Sequence, residues 1–428
     1  MGGQLLCERE ELTREHWMIL GFTWAGWLFD FYDLILYSFL LIPIMAEWGI
    51  SRVEAGIIYG FSLVATAIGG IVFGVLSDKY GRRTMLQASI LTYSIGTFLC
   101  GTSMNLYQLL VWRTLTGFGA GGQWAIGQTL VCETWPKEKR GKGAAIMQSG
   151  APLGVALACL IGGFIAPMIG WRLTFMLSAT PALLVALIRK GMPESDLWLK
   201  FREEFKSKTL PKKVKAKLGR APIIQIFDRD ILPWTVRGLV LAVFGMLSYW
   251  VVYAWLPDFL HSEMHFEMSK TGIWMFISQM GALLGYLSFG YFSDRIGRKP
   301  SFIMYSMTQA LGVVTLIMVV DQIMANPYIA LPPLFLIGFG TGFFSGYGPI
   351  YSEIFPTHVR NTATGFCFNT ARGISFIAPV VVAVLSGTYG LAGGLSLAAL
   401  FNILLALWIL TFPETKGKML EIIEYIID

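Results

Sequence analysis

Long runs of apolar residues recur along the chain and are separated by short polar segments. A helix that crosses the hydrocarbon core of a bilayer needs about 20 predominantly apolar residues. On this criterion the pattern predicts an all-α polytopic membrane protein with twelve transmembrane helices. The predicted spans are 17–46, 52–77, 84–103, 106–132, 142–166, 171–190, 232–260, 270–293, 301–321, 329–352, 361–387 and 390–412.

One long polar segment divides these spans into six and six. It contains FREEFKSKTLPKKVKAKLGR, which is too charged to cross a membrane and is expected to form short amphipathic helices on the membrane surface. The predicted organisation is a polar N-terminus (1–16), a first six-helix bundle (17–190), a basic linker (191–231), a second six-helix bundle (232–412) and a C-terminal tail (413–428).

Composition and charge support this class. Of the 428 residues, 55% are hydrophobic and only 14% are charged, whereas soluble domains carry about 25% charged residues. The net charge of +6 arises from Lys and Arg that concentrate in the loops on one side of the predicted membrane. By the positive-inside rule, both termini are expected in the cytoplasm and the chain in the plasma membrane, without nucleic acid as a partner.

No enzyme signature stands out. The sequence lacks H-E-x-x-H, G-x-S-x-G, a phosphate-binding loop and a large soluble domain. Its five cysteines show neither disulfide nor metal-ligand spacing. We therefore expect a protein that is not an enzyme and holds no metal or cofactor.

The two halves repeat each other. GVLSDKYGRR (74–83) matches GYFSDRIGRK (290–299), 216 residues further on, and ETWPKEKRG (133–141) matches EIFPTHVRN (353–361), 220 residues further on. Two matched pairs in the same order indicate internal duplication. Parallel repeats of six spans are typical of transporters whose binding site lies at mid-membrane between the halves.

The repeated G-x-x-x-D-x-x-G-R-[RK] loop resembles the signature of the major facilitator superfamily. The resemblance implies two pseudo-symmetric bundles in the major facilitator fold. It also implies that acids and arginines of these loops cap neighbouring helix ends and pair with one another to close an inner gate. The gating residues it implies are Asp78, Arg82, Arg83, Glu133, Arg140, Asp294, Arg298, Glu353 and Arg360.

Other segments resemble particular branches of that family. FDFYDLIL (29–36) is similar to the D-x-x-D first helix of aromatic acid:proton and sialate:proton symporters, and ETWPKEKRGKGAAIMQSG (133–150) is similar to the sialate branch. The fifth-helix G-x-x-x-G-P-x-x-G-G pattern of drug:proton antiporters is only partly matched by SGAPLG (149–154).

Four charged residues are predicted deep in the membrane. Asp30 and Asp33 share one face of helix 1, about 20 and 24 Å from its start. Arg113 of helix 4 lies at nearly the level of Asp33, so an acid–arginine contact between these helices is expected. Arg372 lies near the midplane in helix 11, with Asn369 one turn away.

We interpret this pattern as a proton-coupled symporter that carries an organic carboxylate by alternating access. Arg372 would bind the carboxylate, because a guanidinium donates two parallel hydrogen bonds to it. Asp30 or Asp33, with Arg113, would carry the proton, the only coupling ion. The other predicted substrate-binding residues are Asn369, Gln279, Gln123, Tyr249, Tyr253 and Trp124. A small organic acid, a proton and the lipid bilayer are the expected partners of a monomer.

Three alternatives stay open at this point. Asp30, Asp33 and Arg113 could form a buried ionic cluster that only fixes helix packing, and Arg372 could be a structural arginine. The cargo could be a neutral sugar or polyol, which would not require Arg372. A drug:proton antiporter is less compatible, because Arg372 would repel a cationic drug.

Overall fold

The computed structural model describes residues 5–50, 52–206, 218–260, 264, 268–375 and 377–420. The chain is helical throughout, and no strand occurs in these ranges. Parts of the predicted N-terminus, linker and tail (1–4, 207–217 and 421–428) lie outside the described residues.

Each predicted span of the first half corresponds to a helix. The first four are α1 (Arg14–Trp48), α2 (Arg52–Tyr80), α3 (Arg82–Gly101) and α4 (Leu106–Thr134). α5 is built from Arg140–Gln148, Gly150–Leu160, a π-helical turn at Ile161–Ile165, and Ala166–Ile169. α6 consists of Trp171–Leu177 and Ala182–Gly191. In the linker, Asp196–Lys206 and Pro222–Gln225 are helical.

The second half follows the same plan. Its first three helices are α7 (Leu232–Asp258), α8 (Met268–Ile296) and α9 (Arg298–Met318), followed by a short helix at Val320–Ala325. α10 runs through Pro327–Ala330, Leu331–Gly340, Thr341–Gly346 and Tyr347–Ile354. α11 comprises Arg360–Ile374 and the first part of Ile377–Trp408. The non-helical Gly390 ends α11, and the part of Ile377–Trp408 that follows it is α12.

The helices are long and apolar enough for a multi-pass membrane protein. Within the described residues, eight segments meet the length and hydropathy expected of a membrane span. Helices such as α4 are less apolar, because they carry residues such as Arg113 and Gln123. Those side chains are buried against neighbouring helices, so lipid does not need to accommodate them.

Glycines allow close packing within each half. A Cβ added at Gly69 of α2 would overlap the carbonyl oxygen of Phe118 in α4. The repeat-related Gly285 of α8 stands in the same relation to Phe339 in α10. Small residues at helix interfaces in membranes let the backbones approach closely, so the same contact is built twice.

Glycines also make the turns between α2 and α3 and between α8 and α9. Gly81 and Gly297 precede α3 and α9 and have φ values of 106° and 115°. Residues with a Cβ rarely adopt this conformation. Gly81 and Gly297 therefore make the tight turns that precede Arg82 and Arg298. We call the end of the molecule that carries these two turns the loop end.

The halves meet mainly along two helix pairs, with α2 packed along α11 and α5 along α8. One apolar core cluster spans both halves, from residues such as Leu130 and Trp124 to Phe302 and Tyr347. Two further clusters each belong to a single half, around Tyr37 in the first and in the second around residues of α7 to α10. The halves thus share a core toward the loop end and have separate cores toward the opposite end.

The glycine contact between α2 and α4 makes a stability prediction. Gly69→Ala should destabilise the protein by about 1–3 kcal/mol, because the new methyl group overpacks against the Phe118 carbonyl. The matched control is Gly60→Ala in the same helix, where a Cβ meets no atom within 4 Å. Thermal unfolding in detergent should show a lower melting temperature for Gly69→Ala only. Equal melting temperatures would contradict the packing argument.

Candidate functional site

An ion pair between α1 and α4 lies inside the first half. Arg113 Nη1 donates a 2.8 Å hydrogen bond to Asp33 Oδ2, and Thr97 Oγ1 of α3 donates one of 2.8 Å to Asp33 Oδ1. The Arg113 guanidinium also lies 4.3 Å from the centre of the Tyr37 ring. The predicted contact between helices 1 and 4 is confirmed, and Asp33 makes it. Both carboxylate oxygens of Asp33 are therefore engaged.

Asp30 lies one turn from Asp33 and has a different environment. It is 95% buried, yet among the described residues no group donates a hydrogen bond to its carboxylate. The charges that act on it are those of Arg372 and Asp33. Asp30 is thus a buried acid whose compensation is electrostatic rather than a direct hydrogen bond.

Asp30, Asp33 and Arg113 line a small pocket with Arg372. Its volume is about 10 Å³, which is room for about one water molecule. Arg372 reaches it from the last turn of the helical segment Arg360–Ile374, where the helix dipole favours a cation. Arg372, which the sequence placed near the midplane, thus lines the same pocket as Asp30 and Asp33.

A larger cavity of about 250 Å³ lies between the halves and also has Arg372 in its wall. Aromatic side chains from both halves form much of its surface. It is lined by Trp27, Phe31, Leu34, Ile35, Gln148, Val155, Met246, Tyr249, Trp250, Tyr253, Met275, Gln279, Tyr286, Phe344, Phe368 and Arg372. Tyr249, Tyr253 and Gln279, which the sequence proposed for substrate binding, are among them.

The other proposed substrate-binding residues lie outside this lining. Trp124 stacks on Phe368 with 3.5 Å between ring centroids and donates to Gln148 Oε1 at 2.9 Å. It therefore packs against two residues that line the cavity. Asn369 donates to the Gly365 carbonyl at 3.0 Å. Gln123 is fully buried, and its amide lies where a Cβ of Gly26 would be. The structure does not support direct cargo contact for these three.

A buried ionic cluster, the first latch, joins the halves at the loop end. Glu133 accepts hydrogen bonds from Arg82 of its own half at 3.1 Å and from Arg360 of the other half at 2.5 Å. Asp78 of α2 accepts from the backbone N–H of Thr362 at 2.8 Å, in the first turn of α11. An acid at a helix N-terminus satisfies N–H groups that have no partner within the helix.

The second latch repeats the first at the pseudo-symmetric position. Glu353 accepts from Arg298 of its own half and from Arg140 of the other half, both at 2.8 Å. Asp294 of α8 accepts from the backbone N–H of Gly141 at 2.9 Å, in the first turn of α5. The helix-capping acids and acid–arginine pairs that the sequence implied are therefore present in both halves.

Each latch is buried and formally neutral, with two acids and two arginines. Removing one partner from such a cluster leaves an uncompensated buried charge, which typically costs about 3–5 kcal/mol. Both latches cross between the halves, so they hold the loop end closed.

These repeated latches and the helix arrangement agree with the comparisons. The family model of the Major Facilitator Superfamily matches residues 23–379. The chain belongs to the major facilitator superfamily. A solved structure of the proton:xylose symporter XylE bound to 6-bromo-6-deoxy-D-glucose has the same fold, with a TM-score of 0.75 over 97% of this chain and 99% of that one, at 20% identity.

Two relatives are named as transporters of small organic compounds. This major facilitator protein is 32% identical to a protein named "Probable 4-methylmuconolactone transporter" from Cupriavidus pinatubonensis, over 93% of this chain and 90% of the relative. It is also 32% identical to the sialic acid transporter NanX of Escherichia coli, over 94% of both chains. The resemblance to organic-acid transporters and the expectation that the chain is not an enzyme are confirmed.

Sequence reasoning missed two linker residues that contact the first latch of this major facilitator protein. Glu194, assigned to the linker, accepts from the backbone N–H groups of Arg82 and Arg83 at 3.0 and 3.1 Å and so caps α3. Ser195 Oγ donates to Glu133 at 2.5 Å. Arg83 was also predicted as a gating residue, and its backbone N–H links it to the first latch through Glu194.

The tail makes the equivalent contacts in the second half. Glu414 accepts from the backbone N–H groups of Arg298 and Lys299 at 2.8 and 3.1 Å, and Thr415 Oγ1 donates to Glu353 at 2.6 Å. The signal was present in the sequence, because Pro-Glu-Ser (193–195) and Pro-Glu-Thr (413–415) repeat at the same offset of 220. The linker and the tail therefore begin as parts of the two latches.

The latches predict which native cysteine becomes reactive when the loop end opens. Cys132 is fully buried beside the second latch, where its carbonyl accepts from Arg140 Nε at 3.0 Å. Glu353→Gln should increase alkylation of Cys132 by a maleimide several-fold, because Arg140 and Arg298 lose their shared carboxylate. Site-resolved mass spectrometry measures this rate.

The control for this experiment lies at the opposite end. Glu47→Gln removes the exposed Glu47–Arg172 pair, 2.7 Å long, and should leave Cys132 unreactive. Cys100 lies in the first half, like Cys132, and is buried near Arg113. It should stay protected from maleimide in both variants. Equal labelling of Cys132 in the two variants would show that the latch does not hold this end closed.

Proposed function

We propose that this protein is a proton-coupled symporter of an organic carboxylate, working by alternating access in the plasma membrane. The observation that carries the proposal is the position of Arg372, which lines both the large cavity between the halves and the small pocket of Asp30 and Asp33. One guanidinium can therefore interact with a cargo carboxylate on one side and with the acids on the other.

The two acids have different roles in this proposal. Asp33 is held by Arg113 and Thr97, and these charge-assisted hydrogen bonds favour a structural role for its carboxylate. Asp30 has no hydrogen-bond donor among the described residues and depends on the charge of Arg372. Asp30 is therefore the group that exchanges the proton.

Charge balance couples the cargo to the proton. When ionised, Asp30, Asp33, Arg113 and Arg372 sum to zero charge. A carboxylate bound to Arg372 adds one negative charge and takes from Asp30 the cation that compensates it. Unbalanced charge in a membrane interior is costly, so a proton on Asp30 restores neutrality. The cargo anion and the proton then cross together as a neutral load.

The latches provide the conformational part of the proposal. They close the loop end, while toward the opposite end each half has its own core. The excess of Lys and Arg in the loop-end segments supports a cytoplasmic position for this end. The described conformation then corresponds to the outward-facing state, and rocking of the two halves about the cavity would open the cytoplasmic side.

The two acids should separate in transport assays. In proteoliposomes, Asp30→Asn should keep exchange of labelled acid across the membrane but lose accumulation driven by a pH gradient, because Asn carries no proton. Benzoate and sialate serve as the labelled probes. The proposal is falsified if Asp30→Asn accumulates an acid against its gradient as well as the unmodified protein does.

Asp33→Asn is the matched variant in this comparison. It should lower stability by about 3–5 kcal/mol, because Arg113 remains buried without its carboxylate, and thermal unfolding should show this loss. Asp30→Asn should melt close to the unmodified protein. A reversal of the two melting results would exchange the proposed roles of Asp30 and Asp33.

Arg372 should determine carboxylate affinity. Arg372→Gln should weaken benzoate binding about 10- to 100-fold, the range expected when a charged hydrogen bond is lost. The matched control is Arg237→Gln, since Arg237 lies 4.9 Å from the Trp234 ring and does not line the cavity. Calorimetric titration of both variants measures the affinities. Unchanged affinity in Arg372→Gln would assign a packing role to this arginine.

A further inference from the structure

The cavity has an aromatic wall on each side. In the first half, Trp27 and Phe31 of α1 form an edge-to-face pair with 4.7 Å between ring centroids. In the second half, Tyr249 lies 5.5 Å from Trp250 and 5.5 Å from Phe344. Aromatic rings pair favourably with other flat rings in stacked or edge-to-face geometry. A flat cargo can therefore contact rings of both halves at once.

The cavity offers one positive charge. Among the described residues that line it, Arg372 alone is charged at neutral pH. A carboxylate bound by Arg372 would therefore be compensated, whereas a second carboxylate on the same cargo would be desolvated without a partner. The cavity thus favours a monocarboxylate over a dicarboxylate.

Two polar groups of the cavity are already engaged. The Tyr253 hydroxyl is bonded to Ser278 at 2.8 Å, and Gln148 Oε1 accepts from Trp124, whereas the buried Trp27 Nε1 has no hydrogen-bond partner within the described residues. A polyhydroxylated cargo would compete with these existing hydrogen bonds, and each cargo hydroxyl left without a partner lowers affinity. The volume of about 250 Å³ lies just below the range of about 300–1,000 Å³ that is typical of pockets for drug-sized ligands.

We infer that the cargo is a small flat monocarboxylate, with an aromatic or conjugated ring and few polar substituents. A polyhydroxylated sugar acid and a dicarboxylate fit the cavity less well. This inference rests on the proposed function, because it assumes that Arg372 holds the cargo carboxylate. The inference disfavours sialic acid, which the name of one relative mentions, since sialic acid is large and carries many hydroxyl groups.

A binding series with the purified full chain tests the inference. The probes are benzoate, cyclohexanecarboxylate of the same size but not flat, terephthalate with a second carboxylate, and sialate. Benzoate should bind about three- to tenfold more tightly than cyclohexanecarboxylate, as expected for ring pairing. Terephthalate and sialate should bind at least tenfold more weakly than benzoate.

A matched pair of variants links this preference to the walls. Phe31→Leu should reduce the benzoate advantage over cyclohexanecarboxylate toward onefold, because it removes a ring from the α1 wall. Phe276→Leu is the control, since Phe276 lies on α8, is 57% exposed and does not line the cavity. An unchanged ratio in Phe31→Leu would overturn the role of the wall.

The outcomes separate this inference from the proposed function. If sialate or terephthalate binds as tightly as benzoate and loses affinity in Arg372→Gln, the inferred cargo class is overturned while carboxylate transport stands. If none of the four acids binds, or if binding is the same in Arg372→Gln, the proposed function fails as well.

Discussion

The cost of burying charge in a membrane protein is the constraint on which this structure depends. A charged group taken out of water needs a partner close by, because its lost hydration is otherwise not replaced. Both latches satisfy this requirement with neutral sets of acids and arginines, and Asp33 and Arg113 satisfy it as a pair. Asp30 satisfies it only through the field of its neighbours. Of the acids Asp30 and Asp33, Asp30 is the more weakly compensated, and the proposed proton exchange is therefore assigned to it.

Internal duplication explains why the latches are symmetric, whereas the centre departs from that symmetry. The loop end uses one contact pattern twice, down to the caps that Glu194 and Glu414 provide for α3 and α9. At mid-membrane, the first half supplies acids and the second supplies Arg372, whose repeat-related position is Pro152. Symmetric latches allow the two bundles to move as matched bodies. In the proposed mechanism, this asymmetric centre lets one half hold the proton while the other holds the anion.

The sequence predicts how deep a side chain lies along its helix, but it does not predict the direction in which that side chain points. Depth follows from a rise of about 1.5 Å per residue, so the contact of Asp33 with Arg113 could be inferred from residue spacing alone. Rotation about the helix axis follows from packing, and sequence reasoning therefore placed Gln123, Trp124 and Asn369 in a cavity that they do not line. Arg372 shares a pocket with Asp30 because α11 packs against α2 and α4, whose residues also line that pocket, and periodicity does not encode such a tertiary contact.

The position of Arg372 has a further consequence for the order of events. While the cavity is empty, Arg372 compensates Asp30, and a proton on Asp30 would leave the guanidinium in excess. Once a carboxylate is bound, the same proton removes an excess of negative charge. In the proposed symport, binding of cargo and binding of the proton therefore favour each other, as expected of two ligands linked through one shared group. The tightly held Asp33 keeps Arg113 neutralised in both states, so Arg113 does not compete with Arg372 for either the cargo or Asp30.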